Sequence, residues 1–391
     1  GRDGRKLSLL EAKFGRGPLY RGSVRLGSPA DIRRAVKSAR VVVDFSGPSW
    51  SAGFAVAEAC VKAGRHYVDN TTEVQFSKEL KDKLHTGAKA SGSCMVVHAG
   101  DTATIADFGT WTLARHFKEQ HKVSTRKIDL IEWCTAYCIS GSEHLSGGFV
   151  GEDTKGVNPF LLGGLRACGV REEEKERSDP VEDKGLDIWC LQSAVAERLA
   201  VRATCGLLDM KEQYGRKFAF RNLVPFLDRD SAVLHLTRSL VAQQRREQLV
   251  NEKKIPPAGH GPSERKRRER FMNRIFSGVA DEFGGKTGPR KAHLIMQYGP
   301  GGLADRYEGA AMIALETAMT LIDAEDGGNK ELLRPGWGTP VYHLAHLGFM
   351  DRLIARGLNS KVVEGPPAPE LIRNIVNNTM PLKCEDAGVD L

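Results

Sequence analysis

Between residues 28 and 98 short apolar runs alternate with amphipathic stretches, and that alternation leaves this chain few architectures. Ser28-Pro29 with Asp31 opens a helix carrying Ile32 and Val36, with serine as N-cap and proline at the first helical position. Val41-Val42-Val43-Asp44-Phe45 follows, a continuous apolar run of the kind buried on both faces in a parallel sheet. A helix with Val56, Cys60 and Val61 closes at Gly64; the strand His66-Tyr67-Val68-Asp69 comes next. A helix with Leu80, Leu84 and Ala88 closes at Gly92, and the strand from Ser93 to His98 ends the series. Strands and helices in this order predict βαβ units and a doubly wound parallel sheet. Ligands of such sheets lie beyond the carboxyl ends of the strands. That directs attention to Asp44–Pro48, Asp69–Glu73 and His98–Asp101.

After a helix from about Thr104 to Lys118 the pattern changes. Ile131, Trp133, Thr135, Tyr137 and Ile139 alternate, the mark of a strand with one wetter face in an antiparallel sheet. Lys291–Tyr298 reads as another strand, and Arg306–Ile322 as a buried helix rich in alanine. The glycine-rich segments 146–148 and 162–165 and the charged stretch 171–185 read as loops or a surface insertion. Thr339-Pro340 caps a last helix running to Gly357. The chain thus divides into a sheet domain over 1–125, a second α/β domain with an antiparallel sheet over 126–300, and helices over 301–391 that pack back on the core.

Composition removes several alternatives. Hydrophobic residues are 41% and charged residues 27% of 391 positions, the balance of a globular protein. No apolar run approaches the roughly 20 residues that span a bilayer. The eight cysteines form no CxxC pair, and none has zinc spacing with histidine, so they read as reduced thiols of an intracellular protein and no metal is assigned. The net charge of +8 concentrates between Arg2 and Arg40 and at Arg265–Arg270. These surfaces suit phosphate groups or are simply solvated helix faces. They are not interleaved with aromatic residues, and no recognition motif accompanies them, so direct nucleic-acid binding is not expected.

A dinucleotide-binding Rossmann-type sheet opens with a strand and a glycine-rich turn. Neither is found here, and the expectation is that the chain enters at the end of the second strand, with the first strand and glycine loop missing. Arg2 then lies where an arginine can pair with the 2′-phosphate of NADP, or it is a charged terminus without a role.

Several segments resemble the saccharopine dehydrogenase-like oxidoreductases, in order over nearly the whole chain. Gly1-Arg2-Asp3 with Lys6-Leu7 is similar to that family's "AGR…KL", and Val41–Gly53 (VVVDFSGPSWSAG) to its strand followed by GP and a later glycine. Ala59–Asp69 resembles its "ACxxxGxHYVD", Gly261–Glu264 with Arg267 its "GPSExxR", and Gly336, Thr339 and Pro340 its "GxxTP" turn. Bacterial trans-acting enoyl reductases look like architectural relatives. The resemblance implies a nicotinamide cofactor, NADP or NAD, and hydride transfer to or from a small-molecule or lipid-linked substrate. It implies that Ser46, Gly47 and Pro48 line the cofactor and that the helix beginning near Gly53 points its positive end at phosphate. The alternative for this segment is a plain strand-to-helix turn with a fixed proline.

The departures matter too. Asn70-Thr71-Thr72 precede Glu73 where the family has a glycine. In Gly100–Gly109, matched to "GFDSxPxDxG", Thr102 replaces an aspartate and Ile105 a proline, while Gly100, Asp107 and Gly109 are kept. Asp69 and Glu73 read as ribose ligands or as helix-start carboxylates, and His98 with Asp101 as a proton-transfer pair or as a structural histidine. No catalytic residue is assigned. The departures motivate a second expectation, a degenerate relative serving as a structural or assembly subunit of a larger complex, with oligomerisation left open. The helix around Ala232–Leu249 resembles in position a hydrophobic segment of some relatives but is more polar here, a weak case for membrane association.

Overall fold

The computed structural model describes residues 24–134, 179–192, 195–209, 213–257, 260–268, 272–281, 290–297 and 306–378, together with residues 8, 9 and 12. Arg2, the segments 146–148 and 162–165 and most of 171–185 lie outside them.

From residue 24 onward the first element is helix α1 (Pro29–Lys37), whose N-cap Ser28 Oγ accepts the Asp31 amide at 3.3 Å. Strand β1 (Val41–Asp44), helix α2 (Ser49–Ala63), strand β2 (His66–Asp69), helix α3 (Val74–Ser91) and strand β3 (Cys94–Val96) follow. Gly64 and Gly92 end α2 and α3 at φ 63° and 78°, the left-handed turn where glycine carries no Cβ penalty. Helix α4 (Asp101–His121) leads into strand β4 (Thr125–Cys134).

The next stretch holds strands β5 (Val181–Asp183) and β6 (Ile188–Gln192), helix α5 (Val195–Leu207), strand β7 (Ala219–Phe226) and helices α6 (Arg229–Gln244), α7 (Arg246–Asn251) and α8 (Glu264–Arg268). Strands β8 (Met272–Ala280) and β9 (Lys291–Gln297) close it. Then come helix α9 (Arg306–Asp326), strand β10 (Gly336–Gly338), helices α10 (Pro340–Leu344) and α11 (Phe349–Ala355), strand β11 (Asn359–Glu364) and helix α12 (Pro369–Asn378).

Among the described residues these strands make two sheets, in the orders β1-β2-β3-β10 and β11-β9-β8-β4-β7-β6-β5. The first is parallel, with Asp44 opposite Asp69 and Trp337 opposite Met95. The second is antiparallel except where β4 runs parallel to β7. The expected helical finish over 301–391 is corrected in one respect. That region also donates β10 to the first sheet and β11 to the second. Their runs of three and six residues are too short for a periodicity to stand out. Part of the supposed loop 171–185 likewise forms the edge strand β5.

One core lies between the sheets, where α4, α9, α10 and α11 bury Phe108, Phe117, Ile313, Leu344 and Phe349 against Phe276 and Leu294 of the second sheet. A separate core under α2 and α3 gathers Val56, Cys60, Phe76, Leu80, Met95 and Trp337 on the opposite face of the first sheet. The first sheet is therefore covered on both sides, as a doubly wound sheet requires. At its carboxyl edge the turn after β1 exposes Phe45 and Gly47, while Asp69, Glu73, His98 and Asp101 are buried. No helix among the described residues is long and apolar enough to cross a membrane.

Candidate functional site

The carboxyl ends of β1, β2 and β3 meet at one edge. After β1 the chain turns through Phe45-Ser46-Gly47-Pro48. Asp44 Oδ1 accepts both the Ser46 amide at 2.8 Å and the Ser46 hydroxyl at 2.6 Å, which fixes the turn from below. A Cβ placed on Gly47 would meet nothing within 4 Å, so the turn faces open space. Phe45 and Trp50 flank it with 48% and 54% of their surface exposed, unusual for aromatic side chains beside a buried sheet.

Helix α2 starts at Ser49, and its first free amides are already taken. Glu73 accepts the Ser49 amide at 3.0 Å through one oxygen and the Trp50 amide at 2.7 Å through the other. A carboxylate is a full counter-charge for a helix N-terminus. The phosphate role expected for this helix end is therefore corrected: the protein's own anion occupies it. The expectation for Gly53 is corrected as well. Gly53 is buried one turn inside α2, and a Cβ there would lie 2.6 Å from Cζ of Phe76. The glycine lets α2 and α3 approach each other and does not face a ligand.

The residues of β2, from His66 at its amino end to Asp69 at its carboxyl end, form a tight internal lattice. His66 Nδ1 accepts the Cys94 amide at 3.0 Å while its Nε2 meets Glu325 at 3.2 Å. The Tyr67 hydroxyl donates toward Asp44 at 3.5 Å. Asp69 Oδ1 accepts the amides of Thr71 at 3.0 Å and His98 at 3.3 Å. Burial pushes the Asp69 carboxyl up to about 7 against the pull of those amides. The "HYVD" segment thus ties β2 to β1, to β3 and to the turn beyond.

His98 stands at φ +61° and is fully buried. Its Nδ1 lies 2.7 Å from the Thr71 carbonyl, an acceptor, so Nδ1 carries the proton; Nε2 then accepts from the Ser77 hydroxyl at 2.9 Å. Burial drives its pKa down to about 4. His98 is accordingly a neutral strut, the structural alternative anticipated for it. Asp101 does not pair with it. Its Oδ2 lies 3.4 Å from Nη2 of Arg274 on β8, whose Nε donates to Glu132 at 2.8 Å.

Asp107, in the middle of α4, accepts the Thr204 hydroxyl at 2.9 Å and the Val341 amide at 3.0 Å. Thr204 also hydrogen-bonds Thr339, the N-cap of α10. Two turns of family-like sequence far apart in the chain are thereby welded together. Gly109 serves packing: a Cβ there would sit 2.1 Å from Phe276.

The class this arrangement defines is a two-sheet α/β protein whose parallel sheet keeps one exposed turn, Ser46–Pro48, at its carboxyl edge. No protein-family model matches the chain. Over 103 residues it is 30% identical to a trans-acting enoyl reductase of Mycobacterium ulcerans and 27% identical to that of Mycobacterium tuberculosis. Each match covers 26% of this chain and 25% of the relative, so the likeness spans about a quarter of the length of these curated relatives. Among solved structures, it is similar to the apo saccharopine dehydrogenase (L-Glu forming) of Saccharomyces cerevisiae at a TM-score of 0.49 and 11% identity, over 88% of this chain and 89% of that one. An engineered D-amino acid dehydrogenase bound to NADP+ aligns at a TM-score of 0.36 and 14% identity, over 90% and 96% of the two chains. The sequence motifs resemble those of the saccharopine dehydrogenase-like oxidoreductases, and the matched sequence relatives are trans-acting enoyl reductases.

Sequence reasoning missed Glu73 as the cap of α2, because the cap comes from 24 residues downstream. It also missed Arg274, fully buried on a strand. A lone arginine inside an apolar strand pattern was the available signal.

Proposed function

We propose that the chain belongs to a nicotinamide-dependent oxidoreductase in which the Ser46–Pro48 turn receives the nicotinamide end of the cofactor. The single observation carrying this reading is the outward-facing Gly47, where an added Cβ would meet nothing within 4 Å, between two exposed aromatic residues. A glycine there lets an uncharged ring and ribose approach the backbone, and Phe45 and Trp50 offer flat faces for a planar ring. The pyrophosphate does not fit α2, whose amides Glu73 holds. Under this reading the cofactor supplies the hydride, and the chain's residues bind and orient its ring. NADP is the cofactor proposed, with Arg2 pairing with its 2′-phosphate. The substrate is proposed to be a small or lipid-linked molecule reduced at a carbon–carbon or carbon–nitrogen double bond, by analogy with the reductases and dehydrogenases named above.

Titration of the full-length protein with NADPH should quench tryptophan fluorescence saturably. Gly47→Val should weaken that binding by about tenfold or more while leaving the melting temperature unchanged, because its side chain has free room in the unliganded fold. Arg2→Ser should weaken NADPH more than NADH. Absence of saturable quenching by either nucleotide would end the proposal.

The internal use of Asp69, Glu73, His98 and Asp107 favours one other reading, a catalytically silent subunit of a larger assembly. Stable co-purification with other chains, without nucleotide binding, would support it over the first.

A further inference from the structure

Far from the carboxyl edge of the first sheet, three side chains converge where α4 ends against the edge strand β11. His116 Nε2 lies 2.7 Å and His121 Nε2 3.0 Å from the same oxygen of Glu364. The three ligand atoms all lie within 4.8 Å of one another. The two imidazoles stand 5.2 Å apart between centroids and nearly perpendicular, so both lone-pair directions can aim at one point. The histidine side chains are only 19% and 14% exposed, whereas Glu364 is 60% exposed and closes the mouth of the group.

We infer that His116, His121 and Glu364 form a binding site for a divalent transition-metal ion, zinc above all, with water completing the coordination. Two imidazoles and a carboxylate are a ligand set that zinc favours, and a site with three protein ligands keeps one position open. Zinc bonds of about 2.1 Å require ligand atoms about 3.4 Å apart in a tetrahedron, so the group needs to open by roughly half an ångström. The exposed Glu364 has the freedom to do so.

One neighbour opposes the ion. Arg290 Nη1 lies 3.0 Å from His121 Nδ1. A guanidinium has only donors, so it donates to Nδ1, and the neutral ring carries its proton on Nε2, facing Glu364. Metal binding at His121 Nε2 moves the proton of the neutral ring to Nδ1, and a protonated Nδ1 has nothing to accept from Arg290. Arg290, exposed at the residue before β9, is therefore an antagonist of the site. The bound ion would clamp α4, from the layer between the sheets, to β11 at the edge of the second sheet.

The test uses the whole chain, stripped with a chelator and titrated with Co2+ and then with competing Zn2+. The expected result is one-to-one binding with visible cobalt absorption, no thiolate charge-transfer band, and a higher melting temperature with zinc. His116→Gln and His121→Gln should each weaken binding roughly a hundredfold, and Arg290→Gln should tighten it about tenfold, by analogy with the weight of neighbouring groups at metal sites. The gain in Arg290→Gln cannot arise from misfolding. No saturable binding, a complex that survives the double histidine variant, a thiolate band, or weaker binding in Arg290→Gln would each overturn the assignment.

Discussion

At the scale of single residues, two carboxyls among the described residues are buried in a way that works against stability. Asp69 and Asp107 both rise from 3.8 to about 7, and in each the desolvation outweighs the donors that favour the anion. Between those values the unfolded chain has released protons that the native protein keeps. Raising the pH through that window therefore lowers stability, by about 1.4 kcal/mol per pH unit for each group, and the loss levels off above it. Asp107→Asn keeps an acceptor for Thr204 and Val341 but cannot ionise, so it should flatten the fall of melting temperature across the window. Asp107→Ala strands the buried Val341 amide, leaves the Thr204 hydroxyl only Thr339, and should cost about 1–3 kcal/mol by denaturant unfolding. Gly109→Ala should cost about 1–3 kcal/mol by overpacking against Phe276, and Phe276→Leu in the same chain should restore part of it. What the sequence revealed at this scale was position but not purpose. Asp69, Asp107, Gly53 and Gly109 were visible as matches to a family pattern, yet a match cannot distinguish a residue facing a ligand from one facing the next helix.

At the scale of elements, the strands and helices from Pro29 to His121 were legible because their signals are local. N-cap serine, apolar runs and terminal glycines all act within one or two turns. Among the elements that escaped, β5, β10 and β11 are three to six residues long and owe their form to the neighbours they pair with. The Glu73 cap escaped for the same reason: a helix start was read from the residues beside it, while the actual counter-charge comes from the next strand's end. Glu73→Ala should destabilise the protein by about 1–2 kcal/mol. It should also let α2 bind an anion that the natural protein excludes. Phosphate-dependent stabilisation of this variant, absent from the parent, is the measurement.

At the scale of the whole molecule a buried cation ties the second sheet to the start of the helix that leaves the first. Arg274 of the second sheet reaches Asp101, the first residue of α4 beyond β3, and Glu132 on β4. Arg274→Met abandons two carboxylates in a buried setting and should cost about 3–5 kcal/mol; adding Asp101→Asn and Glu132→Gln should recover most of that. Chemical denaturation of the three variants decides it.

The strand Gly336–Gly338 carries a further meaning. It closes the first sheet beside β3, and the contact between Asp107 and Val341 joins positions 234 apart. A boundary drawn on the sequence between a nucleotide-type half and the rest would thus cut through a hydrogen-bonded ladder. A polypeptide ending after β9 would leave Met95 without Trp337 and α4 without its partner turn, so excised halves should emerge from expression as aggregates while the undivided chain stays in solution.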